Sequence, residues 1–285
     1  MRWIFLNGEL VQRPAAQVTA LDRGLLYGYG LFETMRSYGG RVFRLEEHYR
    51  RLCHGAARLA MDMPLSLSQL GEAVEAILKR NDLTDAHLRL TVTAGPPSDA
   101  AGGAGDATVV LFARPLIDYP PDLYRRGMAA VVSDVRRNET SPLSRIKSLN
   151  YLDNLLARED ARRHGADEAI LLNTRGFVAE GSASNLFLVQ QGRLLTPGVE
   201  SGALPGIARW AVLELASAVG LEAVESEVEL SVFEDASEAF LTNSVMGVMS
   251  LTSLDGRPVG SGRPGTVAGR LHRLYGEIAV AEPRT

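Results

Sequence analysis

Two adjacent prolines, Pro120 and Pro121 in IDYPPDLY (117–124), constrain the fold of this chain more than any other local feature. Neither can donate a backbone hydrogen bond, and the pair stiffens its neighbours, so no regular element runs through it. The 285 residues are therefore read as a small N-terminal domain over 1–116, a linker over 117–123, and a larger C-terminal domain over 124–285. The length by itself suits one large domain or two of modest size.

Within the first piece, IFLNGELV (4–11) predicts a hairpin, because Asn7-Gly8 is the pair that a type I′ turn prefers. LFETMRSY predicts a strand, Gly39-Gly40 a turn, and RVFRL a returning strand. Glu46–Ala60 carries Tyr49, Leu52, Ala56 and Leu59 at helical spacing, with Arg51 beside that apolar face. A second helix over Leu67–Lys79 precedes the alternating strand HLRLTVTAG (87–95), a polar loop over 96–106, and the apolar strand 107–116.

Beyond the prolines, GMAAVVSDVRR (127–137) predicts a strand. DEAILLN and GFVAEG pair around Asn173–Gly176, and SNLFLVQQGRLLTP forms a hairpin around Gln191-Gly192. A helix over 207–219 and a short strand over 238–242 follow. Strands and helices are mixed without regular alternation, which argues for α/β domains of the α+β type with mixed sheets, and against a Rossmann fold or a TIM barrel.

Composition narrows the function. A net charge of −4, with no basic stripe interleaved with aromatics, gives no reason to expect nucleic acid as a partner. The single Cys53 excludes an internal disulfide framework and a multi-cysteine zinc site, and its apolar neighbours suggest a small core residue. The five histidines show no metal-ligand spacing, so no metal is expected. The N-terminus reads as a strand and turn rather than a signal peptide, and no 18-residue apolar run suggests a membrane span; a cytoplasmic protein is expected.

The chemistry concentrates in SPLSRIKSLNYLDNLLAREDARR (141–163). Only Lys79 and Lys147 are lysines, and the other 28 of the 30 basic residues are arginine. A desolvated lysine can lose its proton and act as nucleophile or base, which arginine cannot. Lys79 closes an amphipathic helix, where a cation suits the carbonyl end. Lys147 precedes a helical pattern with Leu149, Leu152, Leu155 and Leu156 on one face; Ser148 is a candidate cap and Gly165 a candidate stop. The pattern leaves open a structural lysine paired with Glu139 or Asp153.

Other segments add weaker signals. LPGIAR (204–209) opens a helix where Gly206 lets an anion approach the backbone, or where proline simply starts a helix. Glu180 ends a hairpin strand among small polar residues, and FLTNSVMG (240–247) ends a strand in Thr-Asn-Ser. Gly28-x-Gly30 lacks the third glycine of a dinucleotide fingerprint. A lysine, an anion-binding helix start, a carboxylate and an inward arginine together suit a phosphorylated aldehyde such as pyridoxal phosphate.

The segments DRGLLYGYGLFETMR, HYRRL, RIKSLNYLDNLLAR, GADEAILLNTRGFVAEGSASNLF, LLTPGVESGALPGIAR and FLTNSVMGV occur in this order. Over nearly its full length the chain resembles the fold-type IV pyridoxal-phosphate enzymes, which include branched-chain and D-amino-acid aminotransferases and 4-amino-4-deoxychorismate lyase. The resemblance implies a two-domain, D-amino-acid aminotransferase-like fold with the cofactor in the cleft between the domains, and a homodimer. It implies pyridoxal 5'-phosphate bonded to Lys147, with Glu180 on the pyridine nitrogen and Arg51 on the phosphate. By the same match the amides of Ile207 and Ala208 after Gly206, together with Ser244, hold the phosphate. Leu204 packs on the ring, and Tyr151 is a further cofactor residue.

For the reaction, the F-E-T triplet ending in Thr34, the K-S-x-N spacing, Arg145-x-Lys147 and T-N-S look most like 4-amino-4-deoxychorismate lyase, which gives 4-aminobenzoate and pyruvate in folate biosynthesis. Thr34 would then protonate the leaving group and Arg89 hold a carboxylate. The alternative is an aminotransferase acting on branched-chain amino acids, or less readily on D-amino acids or amines, with 2-oxoglutarate or another keto acid. Ala94 stands where the D-amino-acid enzymes carry arginine, whereas Tyr27, Phe32, Arg89 and ALPGI are compatible with a branched-chain enzyme. A cofactor-binding protein without catalysis ranks below both readings.

Overall fold

A computed structural model of the chain describes residues 2–98, 103, 105–116 and 119–282. One unit comprises Met1–Ile117, Ile146–Asn150 and Ala279–Thr285; the other comprises Asp118–Arg145 and Tyr151–Ile278. This differs from the single break expected at 117–123. The stretch around Lys147 pairs with a strand of the first unit and therefore belongs with it. The expected linker is also partly helical: Pro121 opens a helix over Pro121–Arg126, since its fixed φ suits the first helical position. Of that linker, 117 and 118 lie outside the described residues, as do 99–102 and 104 of the loop read over 96–106.

The first unit contains β1 (Trp3–Leu6), β2 (Glu9–Gln12), α1 (Arg23–Tyr27), β3 (Gly30–Tyr38), β4 (Arg41–Val42), α2 (Leu45–Arg58), α3 (Leu67–Asn81), β5 (Ala86–Thr93) and β6 (Thr108–Pro115). Asn7 and Gly8 both have positive φ, as the type I′ hairpin requires. The strands form an antiparallel sheet in the order β2-β1-β6-β5-β3-β4. Alternation on β5 buries Ala86, Leu88, Leu90 and Val92. The helix α2 packs on β3, and α3, started by a Ser66–Gln69 capping box, packs on β1 and β6.

Lys147 is positioned differently from the sequence expectation. It lies on the sheet rather than at a helix root: Phe32 N–H donates to the Lys147 carbonyl and Leu149 N–H to the Gly30 carbonyl, each at 2.9 Å. Ser148 bridges Leu31 in this short antiparallel pairing instead of capping a helix. Gly30 permits the approach, since a Cβ there would lie 2.8 Å from Leu149 Cδ1 and 2.6 Å from the Val92 carbonyl oxygen.

The second unit contains α4 (Pro121–Arg126), β7 (Met128–Arg137), α5 (Leu152–Arg163), β8 (Glu168–Asn173), β9 (Val178–Gly181), β10 (Asn185–Gln190), β11 (Arg193–Pro197), α6 (Ile207–Leu215), β12 (Glu222–Ser226), α7 (Val232–Asp235), β13 (Glu238–Asn243), β14 (Gly247–Leu254), β15 (Arg257–Pro258) and all but the last residues of α8 (Thr266–Ala281). Its mixed sheet runs β12-β11-β10-β13-β14-β7-β8-β9, with β15 paired to β14. The pairs β7/β8, β7/β14 and β11/β12 are parallel. One face carries a core that includes Met128, Ile170, Leu186, Leu188, Leu241 and Leu251. By strand alternation the other face of β10 and β13 carries Asn185, Phe187, Phe240 and Thr242, with the two phenylalanine rings stacked at 5.1 Å and α6 packed on β13.

The apolar face read on α5 is also corrected. Ala157 and Ala161 are buried against Ala169 and Leu171, with Asn154 beside them, because small residues let the helix sit close to its sheet. Leu152, Leu155 and Leu156 are 66%, 52% and 53% exposed. Gly165 does follow the helix at φ 72°, as expected of a C-terminal stop.

Candidate active site

In the first unit, β3 carries two sets of polar groups on its two faces. Phe32 and Thr34 share a face, and register places Arg89 of β5 opposite Thr34. Lys147 Nζ lies 4.6 Å and Arg89 Cζ 3.9 Å from the centroid of the Phe32 ring. The structure therefore brings together Lys147, Phe32 and Arg89, with Thr34 adjacent. Glu139, one candidate partner for a purely structural Lys147, accepts from the Thr174 amide and hydroxyl.

On the opposite face of β3, Glu33 is buried and receives Arg51 Nε at 2.9 Å and Nη2 at 2.6 Å. Arg51 points inward, an outcome that its place beside the apolar face of α2 leaves open against a solvated arginine. His48 Nδ1 sits 2.6 Å from Glu33 Oε2, which requires a proton on that nitrogen because a carboxylate only accepts. Burial alone pushes the Glu33 carboxyl up, but Arg51 and His48 outweigh it and hold it at about 2. Burial pushes His48 down, against the pull of Glu33 and with help from the Arg51 and Lys147 charges. The group is thus a carboxylate, a guanidinium and a neutral imidazole.

Tyr27 stands on α1, 70% exposed. That short helix is fixed by buried Asp22, which accepts from the Gly24 amide at 2.7 Å and from the Thr93 and Thr108 hydroxyls at 2.9 and 2.7 Å.

In the second unit, buried Glu180 near the end of β9 is held by neutral donors and one cation. Its Oε2 accepts from the Leu204 amide at 2.8 Å and lies 3.5 Å from Asn185 Nδ2; Arg137 Nη2 is 3.4 Å from Oε1. Asn185 Nδ2 also donates to the Leu204 carbonyl at 2.9 Å, so this amide side chain ties Glu180 to the turn before α6. Tyr151 donates to the Ser182 carbonyl at 2.8 Å, beside an Asn154 bond to the same oxygen at 2.9 Å. Buried Glu168 accepts from the Ser182 and Ser184 hydroxyls and fixes that turn. Burial, then the negative charges of Glu180 and Glu168, push the Tyr151 phenol up to about 12, so it stays a hydrogen-bond donor at neutral pH.

The start of α6 fits an anion. Its N-terminal residue Gly206 provides no side-chain cap, and the first helical residues are Ile207 and Ala208. A Cβ on Gly206 would lie 2.0 Å from Asn185 Oδ1, so only glycine fits there. Thr242 shares the sheet face with Asn185, and its buried hydroxyl has no hydrogen-bond partner among the described residues. Ser244 lies in the turn after β13, which Asn243 shapes by accepting from the Val245 and Met246 amides at 3.0 and 2.8 Å. Uncapped amides, a glycine cradle and an orphaned hydroxyl are features that suit a phosphate group.

Sequence reasoning missed Glu33, His48, Asn185 and Glu168. The only local signals were a glutamate among Leu31, Phe32 and Met35 and the polar run ending in Asn185.

The family model described as "Amino-transferase class IV" matches residues 30–254. A putative branched-chain-amino-acid aminotransferase of Methanocaldococcus jannaschii is 38% identical over 278 residues, covering 96% of each chain. The branched-chain-amino-acid aminotransferase of Escherichia coli is 34% identical over 294 residues, covering 98% of this chain and 94% of its own. The crystal structure of the Escherichia coli enzyme superposes with a TM-score of 0.91 at 32% identity, covering 99% of this chain and 96% of that one. A branched-chain amino acid aminotransferase from Thermobaculum terrenum, solved in its PLP form, gives 0.87 at 28%, covering 99% and 95%.

These likenesses overturn the lyase reading. That reading rested on a few positions, Thr34 and the K-S-x-N spacing among them, whereas the similarity to branched-chain aminotransferases runs through the whole of both chains. The role of Thr34 as proton donor to an enolpyruvyl leaving group goes with it. The chain belongs to the class IV aminotransferase family and has the mixed α+β architecture of fold-type IV.

Proposed function

We propose that this protein is a branched-chain amino acid aminotransferase, moving the amino group of leucine, isoleucine or valine to 2-oxoglutarate. The observation that carries the reading is full-length similarity to enzymes of that name at 28–38% identity. As a class IV enzyme it uses pyridoxal phosphate, and the donor set described above fits that cofactor's three recognition groups: an aldehyde, a ring nitrogen and a phosphate.

When bound, pyridoxal phosphate supplies an electron-poor ring that draws charge from the substrate carbon losing its proton. Lys147 Nζ would hold the cofactor through its aldehyde, and as a free amine it would take the proton from the amine-bearing carbon of the substrate. Pairing with β3 at Phe32 and Gly30 fixes the lysine backbone, which limits the wandering of its amine. Glu180 keeps the proton on the ring nitrogen, and the Leu204 amide and Asn185 orient its carboxylate. Leu204 packs on the ring, and Tyr151, held by the Ser182 carbonyl, is a further cofactor contact. Arg51, the Ile207 and Ala208 amides after Gly206, and Ser244 bind the phosphate.

Phe32 gives an apolar wall for a branched side chain, Thr34 sits beside it, and Arg89 holds a carboxylate, with Tyr27 as a further substrate residue. A second copy of the chain covers the exposed Leu25, Leu26 and Tyr27 and the exposed Leu152, Leu155 and Leu156, giving a homodimer. The location is cytoplasmic; a chain with one cysteine depends on no internal disulfide. No helix among the described residues is long and apolar enough to cross a membrane.

The test is a substrate panel with purified holoenzyme. Glutamate should form from 2-oxoglutarate with leucine, isoleucine and valine, at a kcat/KM at least roughly tenfold above that for D-alanine or a simple amine. Absence of glutamate formation with all three branched-chain donors would sink the reading.

A further inference from the structure

Glu33 has no part in the chemistry just described, yet it is among the most thoroughly bound carboxylates in the first unit. It is 1% exposed, its two oxygens take both Arg51 Nε and Nη2, and His48 closes on Oε2. A guanidinium is planar and rigid, so a fork of two bonds to one carboxylate sets the direction of all its remaining N–H groups. We propose that Glu33 is a positioning residue for phosphate: it fixes the plane of the Arg51 guanidinium in the one orientation from which its outer N–H groups meet the cofactor. The inference rests on the reading of Arg51 as a phosphate ligand and adds to it.

Two effects of Glu33 on the phosphate oppose each other. Its negative charge repels a dianion, which by itself would make removal of Glu33 strengthen binding. Against this, a long arginine side chain without its carboxylate regains rotamer freedom and must lose it again when the cofactor binds. The guanidinium is paired directly with Glu33 and offsets most of the repulsion, so the orienting effect dominates. His48 serves the same end. A neutral Nδ1–H donor aims the Glu33 carboxylate without adding a second cation that would draw it away from Arg51.

The distinguishing property of such a residue is that it acts only on the phosphate end. Binding of pyridoxal phosphate and of pyridoxal, which lacks the phosphate, is measured on the apoprotein by absorbance titration for wild type, E33Q, R51A and the double variant. E33Q should lower the preference for the phosphorylated form about tenfold and R51A about a hundredfold, with the double variant no worse than R51A. Thermal unfolding of each apoprotein accompanies the titrations. Should E33Q fail to accumulate as folded protein, E33D serves: it keeps the charge but withdraws the oxygens by one methylene, and it should lower the preference too.

If R51A leaves the preference unchanged, the phosphate role of Arg51 is wrong and the inference falls with it. If R51A lowers it while E33Q (or E33D in its place) does not, or if both forms of the vitamin lose affinity equally, the phosphate reading of Arg51 survives. Glu33 is then only a structural counter-ion.

Discussion

The two units hold their polar groups by different means. Around β3 the positioning is ionic: Arg51 is fixed by a buried carboxylate that His48 orients, and Arg89 and Lys147 approach the same phenylalanine ring. Around Glu180 and the start of α6 it is largely neutral. Backbone amides, Asn185, the Ser182 carbonyl and a missing Cβ do most of the orienting, with Arg137 at a longer 3.4 Å. Ionic positioning changes with pH, whereas amide positioning does not. The stability that the Glu33 cluster adds to the first unit should therefore fall in acid, below about pH 4.5.

The largest effect tests the reactive group itself. On the proposed role of Lys147, K147A should reduce transamination by about 1,000-fold or more, because the variant would lack both the cofactor anchor and the proton acceptor. The folded structure should change little, since Lys147 joins the sheet through backbone atoms. A steady-state rate with leucine and a melting curve together check this.

The next effect separates the two units by pH. Glu33 has a carboxyl held near 2 in the folded chain against 4.5 when unperturbed, so it stabilises the fold fully above about pH 5. That contribution, at most on the order of 3 kcal/mol, is lost as pH falls from about 4.5 towards 2. Denaturant titrations should show wild type well above E33Q at pH 7 and the gap closing towards pH 3. A gap that is constant with pH would remove the ionic half of the comparison.

In the neutral unit, G206A should destabilise by about 2 kcal/mol, because its Cβ meets Asn185 Oδ1 at 2.0 Å and one of the two must shift. The smallest effect is that of Y151F, about 1 kcal/mol for the bond to the Ser182 carbonyl. Because the Tyr151 phenol is pushed up to about 12, the loss should be the same from pH 5 to pH 8 when followed by urea unfolding. A loss that varies across that range would show that the neutral unit also titrates.

How far the sequence foretells these sites depends on the range of the interactions that build them. Lys147 stands out in the sequence as one of two lysines among 28 arginines, and Gly206 because Pro-Gly opens a helix. Arg51 was half legible, since helical periodicity puts it beside a buried face without naming its partner. Glu33 was not: its partners lie 15 and 18 residues on, and only strand register and α2 packing bring them to it. The helix-root placement of Lys147 failed for the same reason, since residues 30–32 hold that backbone from across the chain.

Leu152, Leu155 and Leu156 mislead differently, because apolar periodicity reports that a face is to be covered and not by what. The few residues around Phe32 and Lys147 do not distinguish the reactions of this family, whereas similarity spread through the entire chain favours the aminotransferases.

The central claim is that Lys147 and the groups around it run the amino-group exchange of a branched-chain amino acid. The most direct measurement mixes holoenzyme with leucine alone, without any keto-acid acceptor, and quantifies the products of a single turnover. One 4-methyl-2-oxopentanoate per active chain, no free ammonia, and loss of the product in K147A are the predicted result. No keto acid, or a yield that K147A matches, would contradict it.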